Sequence, residues 1–447
     1  MFSVFNSPRR QLAAAKRVLA HVAEHSDMPI GVRLWDGSVV PLGNATSPLT
    51  VAVRSPGVIG SLMRWPTLDN FLRQYATGGI DFEGGDLTEF ADALRGPARK
   101  PKLRHLSKRL LLSGALPFLF APAEKKQVRH AYAGDFEGTD PKARANRDCI
   151  QFHYDIGNDF YRLFLDPEML YSCGYFTDRN NSLEQAQQDK LEMICRKLRL
   201  KPGERFLDIG CGWGGLICYA AERFGVEAHG VTLAKTQFEY VREKIRQRRL
   251  QGQVIVELKD YREVEGTFDK IASVGMFEHV GIANMPDYFG KINSLLRDRG
   301  VVLNHGISRR AKVDTRRFRK RRPEQRLITK YIFPGGELDH IGHTLESLEA
   351  SKFHIHDVEG WREHYALTTR HWCQRLSARR EEAIRLVGPE RYRLWVAYLA
   401  CVSTGFRDGA LQIFQVVASK HTAKGFSQLP LTRGDLYAVE LPRRAVA

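Results

Sequence analysis

The chain has 447 residues, a formal net charge of +17 and 43% hydrophobic residues. That length accommodates two or three domains of ~150 residues with a large buried core, and the composition excludes a disordered or fibrous chain. The positive excess calls for an anionic partner surface, either nucleic acid or anionic lipid, and seven scattered cysteines without a Cys-x-x-Cys pair read as reduced thiols, not a disulfide framework.

Residues 11–24 set Leu12, Ala15, Leu19 and Val22 at helical spacing, an amphipathic helix packed on the fold and not a cleaved signal. Residues 29–96 read as a small α+β unit. Pro29–Leu42 forms a hairpin turning at Asp36-Gly37, and Leu49–Arg54 alternates as a strand. Thr67–Ala76 is a helix stopped by Gly78-Gly79, and Asp86–Leu94 is another with Asp86 as its N-cap. None of these segments has catalytic character. Residues 97–149 are basic and irregular, with Leu106, Leu110, Leu111 and Leu112 supplying an apolar side. They read as a linker carrying an amphipathic helix, either a solvated hinge or a membrane-surface contact. The most apolar run, Leu110–Ala121, contains Pro117 and falls well short of a ~20-residue span. The expected location is the cytoplasm, with any membrane met at its surface.

From about residue 150 strands alternate with helices. Strands are expected at 206–208, Glu227–Val231, Val254–Leu258, Lys270–Val274 and Gly300–His305, with helices at Leu216–Arg223, Lys235–Arg248 and 285–298. This is an α/β pattern, a doubly wound parallel sheet of Rossmann-like type whose ligand sits beyond the carboxyl ends of the strands. The first strand ends at Asp208, and Gly210, Gly212 and Gly214 then alternate into a helix. Glycines there allow a tight turn and the close approach of a bulky cofactor. Gly-x-Gly-x-Gly with an acid two residues before it resembles the turn of S-adenosylmethionine methyltransferases. A glycine-rich turn with no ligand is the plain alternative. The second strand ends Gly230-Val231-Thr232-Leu233, without the acid that many methyltransferases place on the ribose hydroxyls. Thr232 and Gln237 are the polar groups available instead.

Four longer motifs carry a closer resemblance: His153 through Tyr171-Ser172-Cys173, Val274 through Glu278-His279-Val280-Gly281, Lys330-Tyr-Ile-Phe-Pro-Gly-Gly336, and Trp361 through Tyr365 to Trp372. Together they closely resemble the signature of the cyclopropane-fatty-acyl-phospholipid synthases and the mycolic acid cyclopropane synthases, over roughly residues 150–420. Residues 1–149 are similar, more weakly, to the N-terminal domain of the phospholipid enzymes, a sterol-carrier-type lipid-binding fold. The implied organisation is an α+β lipid-binding domain at 1–96, a basic linker at 97–149 and a class I methyltransferase domain at 150–447.

The resemblance implies methylene transfer from S-adenosylmethionine to the cis double bond of an unsaturated phospholipid acyl chain, giving a cyclopropane ring. A methylene or methyl branch on the same alkene is the alternative. It also implies bicarbonate as the base that removes a proton from the new methyl, with Cys173, Glu278, His305, Tyr365 and the backbone at Ile307 as its ligands. The cofactor contacts it implies are Tyr171 and Ser172, the turn residues Asp208, Gly210, Cys211, Gly212, Trp213 and Gly214, then Thr232, Leu233, Gln237, Tyr261 and Arg262. Cys401 matches a cysteine associated with the active site of the family. The chemistry needs no covalent cysteine, so Cys401 reads first as a pocket or structural residue. No metal is implied.

The run Arg309, Arg310, Lys312, Arg316, Arg317, Arg319, Lys320, Arg321, Arg322 follows His305 closely. It is either a solvated face or a site for lipid phosphates, worth ~1 kcal/mol per residue near an anionic surface. The expected partners are the unsaturated phospholipid and an anionic membrane surface, the inner face of the membrane. An RNA substrate is set aside because no RNA module is present and stacking aromatics do not interleave the basic residues. A non-catalytic lipid carrier explains residues 1–149 but not the glycine turn. Some members of the family form dimers, so the resemblance extends to a homodimer.

Overall fold

Short-range sequence signals build most of the N-terminal elements. Pro8–Glu24 is helical and buries Ala14 and Ala15 against Leu34 and Phe118. The hairpin pairs β1 (Gly31–Arg33) with β2 (Val39–Pro41), and Gly37 takes the positive φ its turn requires. Strands β3 (Thr50–Val53) and β4 (Ile80–Glu83) complete a sheet of order β2-β1-β3-β4. Asp86 begins helix Leu87–Ala93 through a reciprocal capping box with Glu89. The computed structural model describes residues 7–43, 47–95, 105–119, 121–122, 128–134, 147–154, 156–423 and 425–437.

The chain divides into two compact units. The first joins Met1–Ala133 to two segments from much later in the sequence, Arg321–Ile332 and Thr369–Thr404. Charged groups secure both returns. Arg393 is almost fully buried and donates to Asp81 at 2.7 Å and to the carbonyls of Tyr75 and Ile80. Lys330 and Tyr331 donate to Asp69 at 3.0 and 2.8 Å. The sequence division at 96 and 149 follows chain order and differs here. It gives both later segments to the catalytic domain and sets 97–149 apart as a linker. Instead helix Lys108–Ala115 belongs to the first unit, and its Gly114 lies so close to Val18 that an added Cβ would meet Val18 Cγ2 at 2.3 Å. Much of 97–149 lies outside the described residues.

The second unit comprises Gly134–Lys320, Phe333–Thr368 and Gly405–Ala447. Its sheet contains β5 (Arg205–Ile209), β6 (Glu227–Thr232), β7 (Val254–Leu258), β8 (Phe268–Val274), β9 (Leu296–Arg309), β10 (Phe353–Gly360) and β11 (Leu411–Lys420), in the order β10-β11-β9-β8-β5-β6-β7. β5 to β9 run parallel, and β11 is antiparallel to both its neighbours. Phe206, Leu207, Asp208 and Ile209 are all buried, as expected of a central strand covered on both faces. The helix expected over 285–298 ends at Leu295, because Leu296 already pairs with Phe268 and is part of the core. The long strand β9 that results reaches Arg309 and carries Asn304, His305 and Ile307 to the end of the sheet. Among the described residues no helix is long and apolar enough to cross a membrane.

Candidate functional site

The glycine turn after β5 opens onto a cavity lined by the ends of β5, β6 and β8. Gly210, Gly212 and Gly214 all have positive φ, at 82°, 53° and 76°. The amides of Gly210 and Cys211 both donate to Val231 O at 3.0 Å, which fastens the turn to β6. At Gly214 a Cβ would meet Val241 at 2.8 Å, so glycine also sets the closeness of the second helix.

Tyr171, Ser172, Asp208, Gly210, Cys211, Gly212, Trp213, Thr232, Leu233, Gln237 and Tyr261 all line this cavity. Two residues named with them do not. Gly214 is the N-cap of helix Gly215–Phe224, and Arg262 is exposed and paired with Asp260 at 2.7 Å. Thr232 donates to Gln237 Oε1 at 2.8 Å, so the two polar groups that stand where an acid is absent hold each other. Trp213 donates from Nε1 to Asn158 at 2.8 Å and packs its ring 4.9 Å from Tyr161.

One lining residue has no sequence signal. Lys190 comes from helix Leu183–Leu198, is 1% exposed, and donates to Ser172 Oγ at 2.8 Å. A lysine in an amphipathic helix is ordinarily a solvated one. Burial lowers its pKa to about 8, opposed by the charges of Asp166 and Asp208. Burial also pushes Asp208 up to about 7, against the pull of Lys190. Asp208 Oδ1 is buried without a hydrogen-bond partner among the described residues. A cradle free of Cβ atoms and an unpartnered buried carboxylate oxygen suit a large cofactor that presents donors or positive charge.

A second cluster forms where β8 and β9 end. Glu278, in the short helix Phe277–Val280, accepts from Ile307 N–H at 2.6 Å through Oε1, while its Oε2 is buried without a partner. Burial raises its pKa to about 7, against the Ile307 hydrogen bond. His305 is fully buried. Its Nδ1 lies 2.9 Å from Gln415 Nε2, and its Nε2 has no partner. Burial, then the charges of Lys190 and Lys197, hold it far below the usual imidazole range, so the ring is neutral.

Trp361 packs edge-on to His305 at 5.3 Å and joins it to two other residues. Cys173 Sγ lies 3.8 Å from Trp361 O and 3.3 Å from Gly174 O, and burial raises its pKa, so it remains a thiol whose hydrogen faces carbonyls. Tyr365 follows one turn later, its N–H donating to Trp361 O, its ring stacked on Phe406 at 4.6 Å. Glu278 is thus joined to Ile307, while Cys173, His305 and Tyr365 each contact Trp361. The two unpartnered atoms, Glu278 Oε2 and His305 Nε2, suit a small group that can both donate and accept hydrogen bonds, and bicarbonate is such a group. Cys401 belongs to the first unit and is exposed on its helix. In the basic run, Arg316, Arg317, Arg319, Lys320 and Arg322 are exposed and Arg321 is half-buried.

A seven-stranded sheet with one antiparallel strand beside its edge, and a glycine turn at the end of the first strand, define an S-adenosylmethionine-dependent methyltransferase of class I. A solved structure of the same kind is the mycolic acid cyclopropane synthase CmaA1 complexed with SAH and CTAB. It is 33% identical, with a TM-score of 0.58, and covers 62% of this chain and 98% of that one. The family model described as mycolic acid cyclopropane synthetase matches residues 141–416, and the chain belongs to this family. Over 412 residues the chain is 36% identical to a Pseudomonas putida protein described as a probable fatty acid methyltransferase, covering 92% of this chain and 96% of the relative. Over 275 residues it is 40% identical to the cyclopropane-fatty-acyl-phospholipid synthase of Escherichia coli K12, covering 61% of this chain and 68% of the relative.

Proposed function

We propose that this protein transfers a methylene group from S-adenosylmethionine to the cis double bond of an unsaturated acyl chain on an intact phospholipid, closing a cyclopropane ring. The observation that carries the reading is the buried pair of unpartnered groups, Glu278 Oε2 and His305 Nε2, in a chain of this family. Bound S-adenosylmethionine supplies an electrophilic methyl. An isolated alkene is a weak nucleophile that needs no deprotonation to begin, so the site needs no strong base at the outset. It must exclude water, hold two carbons in line with the methyl, and tolerate positive charge on the substrate. The rings of Tyr154, Tyr171 and Trp213 supply polarisable faces for that charge. In this reading Glu278, His305, Ile307, Tyr365 and Cys173 hold bicarbonate, which would supply the base for the final proton. The neutral His305 and the hydrogen-bonded thiol of Cys173 are then ligands and not nucleophiles.

The proposed site of action is the inner, anionic face of a membrane, met by the exposed cations Arg316, Arg317, Arg319, Lys320 and Arg322. Replacing Arg319, Lys320, Arg321 and Arg322 by Glu should abolish sedimentation with anionic vesicles at low salt, and unchanged sedimentation overturns that surface. A second reading is favoured by the near full-length relative described as a fatty acid methyltransferase. The same alkene chemistry there would end in a methylene or methyl branch. Both readings are tested by supplying purified protein and cofactor with vesicles of unsaturated or saturated phospholipid. S-adenosylhomocysteine should be released only with the unsaturated lipid. NMR of the extracted acyl chains then separates ring protons, far upfield, from olefinic ones. No release with unsaturated lipid overturns the alkene reading altogether.

A further inference from the structure

We propose that Lys197 and Gln415 fix the proton of His305 on Nε2, so that this histidine meets its ligand as a hydrogen-bond donor and cannot serve as the base. The assignment follows from what each group is able to do. Three strands align the participants, since Glu359 of β10 stands opposite Gln415 of β11, which stands opposite His305 of β9. Lys197, at the end of helix Leu183–Leu198, is 1% exposed and reaches this row from the side.

An ammonium donates and never accepts. Burial lowers the pKa of Lys197 and the paired carboxylate of Glu359 opposes that shift, while Nζ donates to Gln415 Oε1 at 2.7 Å. That contact commits the oxygen of the Gln415 amide to Lys197 and turns its NH₂ toward His305 Nδ1 at 2.9 Å. An amide NH₂ only donates, so Nδ1 must present its lone pair. A neutral imidazole has one ring proton, which therefore sits on Nε2. Gln415 is fully buried and Nε2 has no partner among the described residues, so no competing acceptor or donor reverses the order. Lys197 also lies 5.2 Å from the Trp361 ring, and this contact holds the ammonium in place beside the indole that touches His305. Any group that occupies the site must then offer His305 an oxygen lone pair. The identity of that group as bicarbonate rests on the function proposed above. The tautomer does not.

The test uses full-length protein labelled with ¹⁵N in histidine, with His305 assigned from the signals lost in His305→Gln. Two-bond ¹H–¹⁵N correlations should show the Nε2–H form for His305 in the absence of any ligand. Gln415→Glu is nearly isosteric and offers an acceptor to both neighbours. It should move the proton to Nδ1 and lower kcat at least tenfold, with KM for S-adenosylmethionine unchanged. Lys197→Arg should retain the parental tautomer, and Lys197→Met should lose its uniqueness. An Nδ1–H or doubly protonated ring in the parent overturns the proposal, as does a folded Gln415→Glu variant with the parental tautomer. Should Gln415→Glu not fold, the parental spectrum and Lys197→Met carry the same decision. A parent that shows the Nε2–H form yet alkylates no lipid would overturn the proposed function and leave this inference standing.

Discussion

Glu278→Gln separates the cost of burying Glu278 from its use. The carboxyl titrates at about 7 in the folded protein against an ordinary value of 4.5. The native state therefore binds this proton more tightly than the unfolded chain does. Its contribution to stability falls as pH rises from 4.5, and the full cost is reached above about pH 7. At about 1.4 kcal/mol per pH unit the carboxylate costs the fold about 3 kcal/mol at pH 8 and about 1 kcal/mol at pH 5.5. Glutamine is neutral at both and keeps an oxygen for the Ile307 amide, which Glu278 now satisfies at 2.6 Å. In urea unfolding followed by tryptophan fluorescence, the stability of the variant minus that of the parent should rise by about 2 kcal/mol between pH 5.5 and pH 8. Turnover with unsaturated phospholipid should fall about 10²-fold or more, the scale of a lost proton-transfer or orienting group. A stability difference that does not change with pH refutes the burial argument. Undiminished turnover removes Glu278 from the chemistry.

Gly214→Ala places a methyl 2.8 Å from Val241 on a backbone of φ 76°, and should cost about 2 kcal/mol or more in the same unfolding assay. It should also weaken S-adenosylhomocysteine binding by calorimetry, and unchanged affinity would show that the turn tolerates a side chain. Asp208→Asn should preserve the fold and weaken that binding about tenfold, the loss of roughly one charged hydrogen bond. Arg393→Ala leaves Asp81 without its closest partner and removes a donor from the Tyr75 and Ile80 carbonyls, and should destabilise the first unit by about 3 kcal/mol or more. Protease sensitivity confined to the N-terminal segment would report it, and parental resistance would refute it.

The parts legible in sequence were those written in consecutive residues. The hairpin at Asp36-Gly37, the cap at Asp86, and the glycine turn with its acid at Asp208 each depend on neighbours within a few positions. Strands β5 to β9 were legible in order because each carries a short apolar run and helical patterns alternate with them. β10 was not, since Phe353–Gly360 carries His354, His356, Asp357 and Glu359 and has no apolar run to announce it. The return of Thr369–Thr404 to the first unit was hidden for a related reason. Helix Arg380–Arg407 is broken at Gly388, where φ is 79° just before Pro389, yet nothing local says which sheet its Arg393 will reach.

The residues that escaped are of one kind. Lys190, Lys197 and Arg393 are long cations, and any reading that finds the core by apolarity assigns such side chains to the surface. Each is buried because a group distant in sequence accepts its charge or its hydrogens: Ser172 beside Asp208, Glu359 with Gln415, and Asp81. Burying a cation is costly unless its partners are fixed first. Such a residue therefore depends on the finished fold, and its sequence neighbourhood has no reason to record it. The same dependence makes these groups useful. A lysine with no freedom to turn back into water can fix the orientation of an amide, and through it a histidine proton, where a solvated lysine could not. For Lys197 the property that hid it from the sequence and the property that lets it order His305 are the same burial.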